Sequence, residues 1–197
     1  MRLAKPALLV ALTLAAGFTG AVIAQQAKPD KKQIQLIVDQ MSAPAAEHKL
    51  LEPLVGTFAQ AIEYTGGGGA PVAVSGEARG KWVLGKRFVN IHAESAPGEE
   101  FKFESIAYFG FDTNKKKFTA FGLDTAGTYA VSAEGDYDAA AKRWTLEGES
   151  DEPGIGRIPF QFVIALGDNG SWSHEVLFKM PDAQEFNRVA KTVYTRK

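Results

Sequence analysis

The sequence contains no cysteine, which excludes disulfides, thiolate metal sites, iron–sulfur clusters and cysteine nucleophiles. It also lacks an excess of charge of one sign, because 22 Lys and Arg residues are balanced by 23 Asp and Glu residues. Nucleic-acid-binding proteins normally carry a basic surplus, so we expect no nucleic-acid partner. The composition is ordinary for one globular domain with its own core, since 45% of the 197 residues are hydrophobic and 23% are charged.

The first 24 residues have the features of a secretory signal peptide. Arg2 and Lys5 give a positive start, residues 7–24 carry no charge, and the small residue Ala24 ends the segment. A membrane anchor is the alternative, since about 20 apolar residues span a bilayer, but small residues dilute the apolar run. We therefore predict a signal peptide over residues 1–24, cleaved after Ala24, and a periplasmic or secreted protein with no membrane span after cleavage.

Residues 25–46 are predicted to form a polar leader followed by a short amphipathic helix. Its apolar residues recur at helical spacing: Ile34, Ile37, Val38 and Met41. A second short helix is predicted over residues 47–54, with three leucines on a shared face: Leu50, Leu51 and Leu54.

The remainder of the chain alternates apolar and polar residues with a period of two, which predicts β-strands. The pattern is clearest in residues 158–166, and turn signals such as Asp168-Asn169-Gly170 recur at short spacing. Counting between turns gives about eight to ten antiparallel strands without intervening helices. We predict an all-β domain over residues 47–197, a closed antiparallel barrel that leaves no free edge, with a two-sheet sandwich as the alternative.

Six short segments support the barrel by their order along the chain. They are EHK at 47–49, LVGTF at 54–58, LGKRF at 84–88, FGFD at 109–112, LDTAGT at 123–128 and YTRK at 194–197. This set resembles a family of bacterial proteins described only as a domain of unknown function, whose members look like lipocalin-type, or calycin-like, barrels. The resemblance covers most of the chain after the leader. It implies a closed lipocalin-like β-barrel with a short N-terminal helical segment, and it implies no known reaction.

The resemblance also implies how such a barrel closes. Calycin-type barrels begin the first strand with Gly-x-Trp, and an Arg from the last strand packs over that ring. Gly56, Phe58 and Arg196 match these positions, so a cation–π contact between strand ends is expected. Phe58 departs from the pattern by replacing Trp. Lys86 also departs from it, because the family often has a second glycine there.

The aromatic content favours ligand binding, since 13 Phe, 5 Tyr and 3 Trp exceed what minimal strand packing needs. We predict that a small, mostly apolar molecule binds in the barrel interior. The predicted cavity-lining residues are Trp82, Phe103, Tyr108, Phe121, Phe162 and Trp172. The predicted polar residues that orient the ligand are Asn90, His92, Asp124, Arg157 and Glu175. Each candidate has an alternative role. The aromatic residues could pack in the core, Asp124 could cap a turn, and His92 could face the solvent. Glu175 would face inward only if the inward and outward faces of its strand were exchanged. Arg87 or Arg157 would then be its partner.

The histidines are the candidate residues for binding a cofactor. The three histidines lack the spacing of a metal site, so no metal or other cofactor is predicted in the leading hypothesis. His48 is expected to pack or cap within its helix. His174 alternates with apolar residues and is either a hydrogen-bonded core residue or, in an alternative function, the iron ligand of a haem- or gas-binding barrel.

Catalysis is disfavoured by the motifs, because no Gly-x-Ser-x-Gly elbow occurs. Two further functions stay open. One is a non-catalytic envelope protein that works through its outer surface. The other, less favoured, is a hydrolase or isomerase that uses carboxylates in the cavity.

Overall fold

The computed structural model describes residues 30–65 and 70–197. The predicted signal peptide, the first residues of the leader and the four glycines at 66–69 lie outside the described residues. Helix α1 spans Lys31–Met41, a 3-10 helix spans Ala46–Leu54, and a single 3-10 turn spans Asp168–Gly170.

Helix α1 confirms the amphipathic helix predicted from the spacing of apolar residues. It starts with a reciprocal cap, in which the Gln33 N–H donates to Asp30 Oδ1 at 2.8 Å and the Asp30 N–H donates to Gln33 Oε1 at 3.0 Å. None of its residues is buried. The helix belongs to a unit ending at Met41, and the residues from Ser42 to Lys197 form a second compact unit.

The described part of the second unit contains ten antiparallel strands that form a closed barrel. The strands are β1 (Gly56–Tyr64), β2 (Val72–Val83), β3 (Phe88–Ser95), β4 (Glu104–Asp112), β5 (Lys117–Asp124), β6 (Val131–Asp138), β7 (Arg143–Glu152), β8 (Gly156–Leu166), β9 (Trp172–Phe178) and β10 (Asn187–Arg196). Each strand pairs with the next along the chain, and β1 also pairs with β10. This confirms the barrel and excludes the two-sheet sandwich.

The seam between the first and last strands is held by both backbone and side chains. Phe58 is the register partner of Arg196, and the guanidinium carbon of Arg196 lies 5.0 Å from the centre of the Phe58 ring. Arg196 Nη2 also donates to the Pro53 carbonyl at 3.3 Å. Gly56 has a φ of +143°, and a Cβ there would lie 2.3 Å from Arg196 Nη1. Glycine is therefore the residue that leaves room for the arginine.

The 3-10 helix closes one end of the barrel with a face that differs from the prediction. A 3-10 helix has three residues per turn, so positions i and i+3 share a face. His48, Leu51 and Leu54 are accordingly buried, whereas Leu50 is exposed, so the prediction that it shares a face with Leu51 and Leu54 is wrong. His48 Nδ1 accepts the Ala45 N–H at 3.0 Å, and its ring meets the edge of Phe111 at 5.9 Å.

Alternation decides which side chains enter the lumen, the space enclosed by the ten strands. In β8, the inward residues Ile158, Phe160, Phe162 and Ile164 are buried. The alternation of Phe101, Phe103, Phe109 and Phe111 indicates a strand from Phe101 onwards, but β4 is shorter. It starts at Glu104, so Phe101 and Phe103 lie in the preceding loop, where their rings stack at 6.4 Å.

Candidate functional site

The inner wall of the barrel holds three buried ring nitrogens that have no hydrogen-bond partner among the described residues. They are Nε1 of Trp144, Nε1 of Trp172 and Nε2 of His174. An indole N–H can only donate, whereas a neutral imidazole nitrogen donates or accepts according to its tautomer. A buried polar group without a partner costs about 1–3 kcal/mol, so three such groups on one wall mark a place where a ligand can gain hydrogen bonds.

These three side chains lie on two strands, β7 and β9, which flank β8. Trp144 is opposite Ile164 on β8, and Ile164 is opposite His174 on β9. Trp172 is two residues before His174, so both face the same side of β9. The three rings therefore share one inward wall.

Aromatic rings connect this wall to the closed end of the barrel. Phe111, which contacts the 3-10 helix through His48, lies 5.0 Å from Phe118, and Phe118 lies 6.0 Å from Trp144. On the other side, Trp172 stacks on Tyr194 with ring centres 3.6 Å apart. The wall is thus held by ring packing and is apolar around its nitrogens.

Burial makes His174 neutral at physiological pH. Desolvation lowers its pKa from 6.5 to about 4, and the charge of Glu175 opposes this only weakly. The ring meets the edge of Phe162 at 4.8 Å and is opposite Thr192 on β10. A neutral imidazole with a bare Nε2 is able to bind a ligand oxygen, a hydroxyl or a metal ion.

Tyr194 and Thr192 add two hydroxyls to the same region. Burial raises the pKa of Tyr194 above its usual value, against a hydrogen bond with Thr192 that lowers it. The phenol is therefore protonated, and it has a protein partner, unlike the three ring nitrogens.

Several inward side chains are not fully covered by their neighbours. Val176 and Phe178 follow His174 along the inner face of β9, yet both are only half-buried, and so is His174 outside its Nε2 atom. Ile62 on β1 also faces inward and is half-buried. Apart from His174, these residues lie in the second halves of β1 and β9, so side chains do not fill this end of the lumen completely, whereas Trp144 and Trp172 are fully buried.

Three of the residues predicted to line the cavity do face inward. Phe162 and Trp172 are buried in the core. Trp82 packs against the core, and its Nε1 donates to Glu52 Oε2 at 2.8 Å, so its polar atom already has a partner.

The other aromatic candidates lie outside the lumen. Tyr108 and Phe121 are register partners on the outer wall and are 37% and 43% exposed. Phe103 lies in the loop before β4, where the Ser95 hydroxyl accepts its N–H at 3.1 Å. Aromatic residues on an outer face produce the same alternation as inward ones, which explains these misplacements.

The candidate polar residues are also placed outside the lumen or at its rim. Asn90 is buried on the outer side of β3 and donates to the Ala107 carbonyl at 3.3 Å, while His92 is paired with Glu104 at 2.7 Å. Asp124 ends β5 and accepts the Ala126 N–H at 2.9 Å, which is the turn-capping role.

Arg157 and Glu175 form ion pairs on the exterior. Arg157 contacts Glu149 at 3.0 Å. Glu175 contacts Lys191 at 3.0 Å and Arg188 at 3.4 Å, so neither Arg87 nor Arg157 is its partner. Desolvation would raise the pKa of Glu175, but the hydrogen bond from Lys191 and the charges of both cations outweigh it, and the pKa is lowered.

Trp144 was not among the residues predicted from the sequence, although a signal for it existed. It alternates with Leu146 in β7 and stands between polar neighbours, Arg143 and Thr145. Its place beside His174 depends on the strand register across β8, which the sequence does not specify.

Two grooves lie on the surface of the described structure. One has a volume of about 460 Å³ and is lined by Lys117, Glu134, Glu147, Gly148, Glu149, Pro159, Phe160 and Phe186. The other, of about 270 Å³, is lined by Glu94, Ser95, Lys102, Phe103, Glu104 and Thr125. Neither groove contains the three unpartnered nitrogens.

The described residues contain no group of three or more His, Asp or Glu side chains arranged to hold a metal ion. In the same part of the chain, no helix has the length and apolar character needed to cross a membrane.

Comparison with known proteins gives a family and a fold. Residues 43–196 match the family model described as "Protein of unknown function (DUF1579)". The crystal structure of Rv2717c from M. tuberculosis is similar, with a TM-score of 0.56 and 16% identity over 78% of this chain and 99% of that chain. At this identity the likeness concerns the fold alone. No curated protein matches.

Proposed function

Since this chain belongs to the DUF1579 family of proteins of unknown function, its role has to be inferred from its own residues, and we propose that it binds a small, mostly apolar molecule inside the barrel. The observation that carries this proposal is the set of three unpartnered ring nitrogens on the inner wall. Binding would bury apolar ligand surface against the aromatic wall and would give these nitrogens the partners that they lack.

The proposal is tested by native mass spectrometry of protein purified from its own host. We expect a bound mass that is lost on denaturation. A high-resolution crystal structure provides the second measurement. A lumen that holds only ordered waters on the three nitrogens, together with a bare mass, would contradict ligand binding.

We further propose that the protein acts after export, in the periplasm or outside the cell. The support is the charge-free segment at residues 7–24, which follows two basic residues and ends in Ala24. Mass spectrometry of the mature protein should give a chain that begins at Gln25. A full-length chain recovered from the cytoplasmic fraction would contradict it.

A haem- or gas-binding barrel is a second candidate, favoured by one feature of His174. Its Nε2 is buried and unpartnered, and its pKa of about 4 keeps the imidazole neutral, which is the form that binds a metal. His174 would hold the iron, and the haem would supply a site for a diatomic gas. His92 fits this role less well because its Nε2 is paired with Glu104 on the outer wall.

Haem addition distinguishes this candidate from the first. It predicts a Soret band that shifts on binding and disappears in His174→Ala but persists in His92→Ala. A spectrum of free haem with the wild-type protein would reject it.

A further inference from the structure

The charge of the lumen restricts the ligand that it can accept. Among the described residues, the inward-facing charged side chains Asp124, Glu152 and Arg196 all stand at strand ends. Asp124 accepts the Ala126 N–H and Glu152 accepts the Ser150 hydroxyl, while Arg196 is exposed, lies over Phe58 and donates to the Pro53 carbonyl. Between these rims, the described inner wall is uncharged.

Within this uncharged wall, the free hydrogen-bonding capacity consists mainly of donors. Trp144 Nε1 and Trp172 Nε1 can only donate. His174 provides no cation at physiological pH, because its pKa is about 4. An anionic ligand would be buried there without a counter-charge, which is very costly in an apolar interior.

We infer that the ligand is a neutral, largely apolar molecule with an accepting oxygen, such as a ketone, ester or quinone, rather than a carboxylic acid such as a fatty acid. Its oxygen atoms accept hydrogen bonds from the indole N–H groups of Trp144 and Trp172. This inference rests on the proposed function, because it names the chemical class of the molecule that binds in the lumen.

The separation of the strands that carry the donors gives a scale for the molecule. Trp144 on β7 and Trp172 on β9 are two strands apart, and neighbouring strands are spaced by about 4.8 Å, so their backbones lie about 10 Å apart. A bicyclic molecule spans such a distance. Its faces would pack against the rings that surround the donors.

Three naphthalene derivatives of one size test the inference: methyl naphthyl ketone, naphthoate and ethylnaphthalene. Equilibrium dialysis against the full chain at neutral pH measures their affinities. We expect the ketone to bind about tenfold more tightly than the hydrocarbon, the amount expected for one buried hydrogen bond, and more tightly than the carboxylate by at least as much.

Substitutions then assign the preference to the two donors. Trp144→Phe and Trp172→Phe keep an aromatic ring but remove the N–H, so the variant that removes the donor bonded to the single ketone oxygen should reduce the preference for the ketone over the hydrocarbon. Tyr108→Phe is the control, because this ring lies on the outer wall and loss of its hydroxyl should not affect this ratio. Circular dichroism of each variant checks that the barrel is folded.

The outcomes separate this inference from the proposed function. If the ketone and hydrocarbon bind equally, or if naphthoate binds best, the lumen binds ligands but the inference is wrong. If neither Trp144→Phe nor Trp172→Phe changes the ratio in a folded barrel, the inference is also wrong. If none of the three probes binds, the proposed function itself is contradicted.

Discussion

Gly56 shows how one missing side chain permits closure of the barrel. Its φ of +143° is unfavourable for other residues, and the space that a Cβ would fill is occupied by Arg196 Nη1. The glycine thus allows the guanidinium to approach the Phe58 ring, a contact of about 0.5–2 kcal/mol.

We expect Gly56→Ala to lower the free energy of unfolding by about 1–3 kcal/mol, through backbone strain and displacement of Arg196. Urea denaturation measures this change. Gly154→Ala is the control, because Gly154 also has a positive φ of +78° but has no atom within 4 Å of its Cβ position. Equal losses in the two variants would show that the arginine contact contributes nothing.

His174 should make stability depend on pH. Burial lowers its pKa from 6.5 to about 4 in the folded protein, so the unfolded chain binds the proton more tightly between these values. The contribution is complete above the unfolded pKa and is lost as the pH falls towards 4. The loss amounts to at most about 3 kcal/mol.

Urea denaturation at about pH 7 and about pH 4.5 measures this dependence against His174→Gln, which cannot titrate. The difference between the two pH values should be smaller in the variant, whatever its absolute stability. An unchanged difference would mean that His174 is not the group responsible.

At the scale of the element, the hairpin between β2 and β3 is held in an unfavourable conformation. Leu84, Gly85 and Lys86 all have positive φ, at 48°, 65° and 63°. This conformation costs about 1–2 kcal/mol for a residue other than glycine. The family pattern noted from the sequence, with a second glycine at position 86, matches a backbone that glycine adopts without strain.

Lys86→Gly should therefore raise the free energy of unfolding, by up to about 1 kcal/mol after the added flexibility of the unfolded chain is counted. Thermal denaturation measures the change. Lys81→Gly, in the extended backbone of β2, should instead lower the stability. Loss of stability in both variants would contradict the role of φ at position 86.

Alternation within each element shows why the fold was easier to predict than the site. Apolar alternation and turn residues predicted the strands, and Asn169-Gly170 has the two positive φ values, 56° and 73°, that its sequence implied. Tyr108 and Phe121 alternate equally well but on the outer wall. The wall that contains Trp144, Trp172 and His174 depends on the register of three strands, which no local pattern contains.

At the scale of the whole molecule, closure predicts uniform protection of the strands. β1 is paired on both sides, with β2 and β10, so its amides should exchange with solvent as slowly as those of interior strands. Hydrogen exchange followed by mass spectrometry measures this. Rapid exchange confined to β1 or β10 would contradict a closed seam.

The seam also affects how this chain folds. The bond from Arg196 to the Pro53 carbonyl joins residues 143 positions apart, so almost the whole barrel must be synthesised before its ends can meet. Local hairpins can form early, but the contact that shuts the ring carries a large loop-closure entropy and favours a slow final step. Because synthesis starts at the N terminus, the barrel stays open until β10 has been synthesised and can pair with β1.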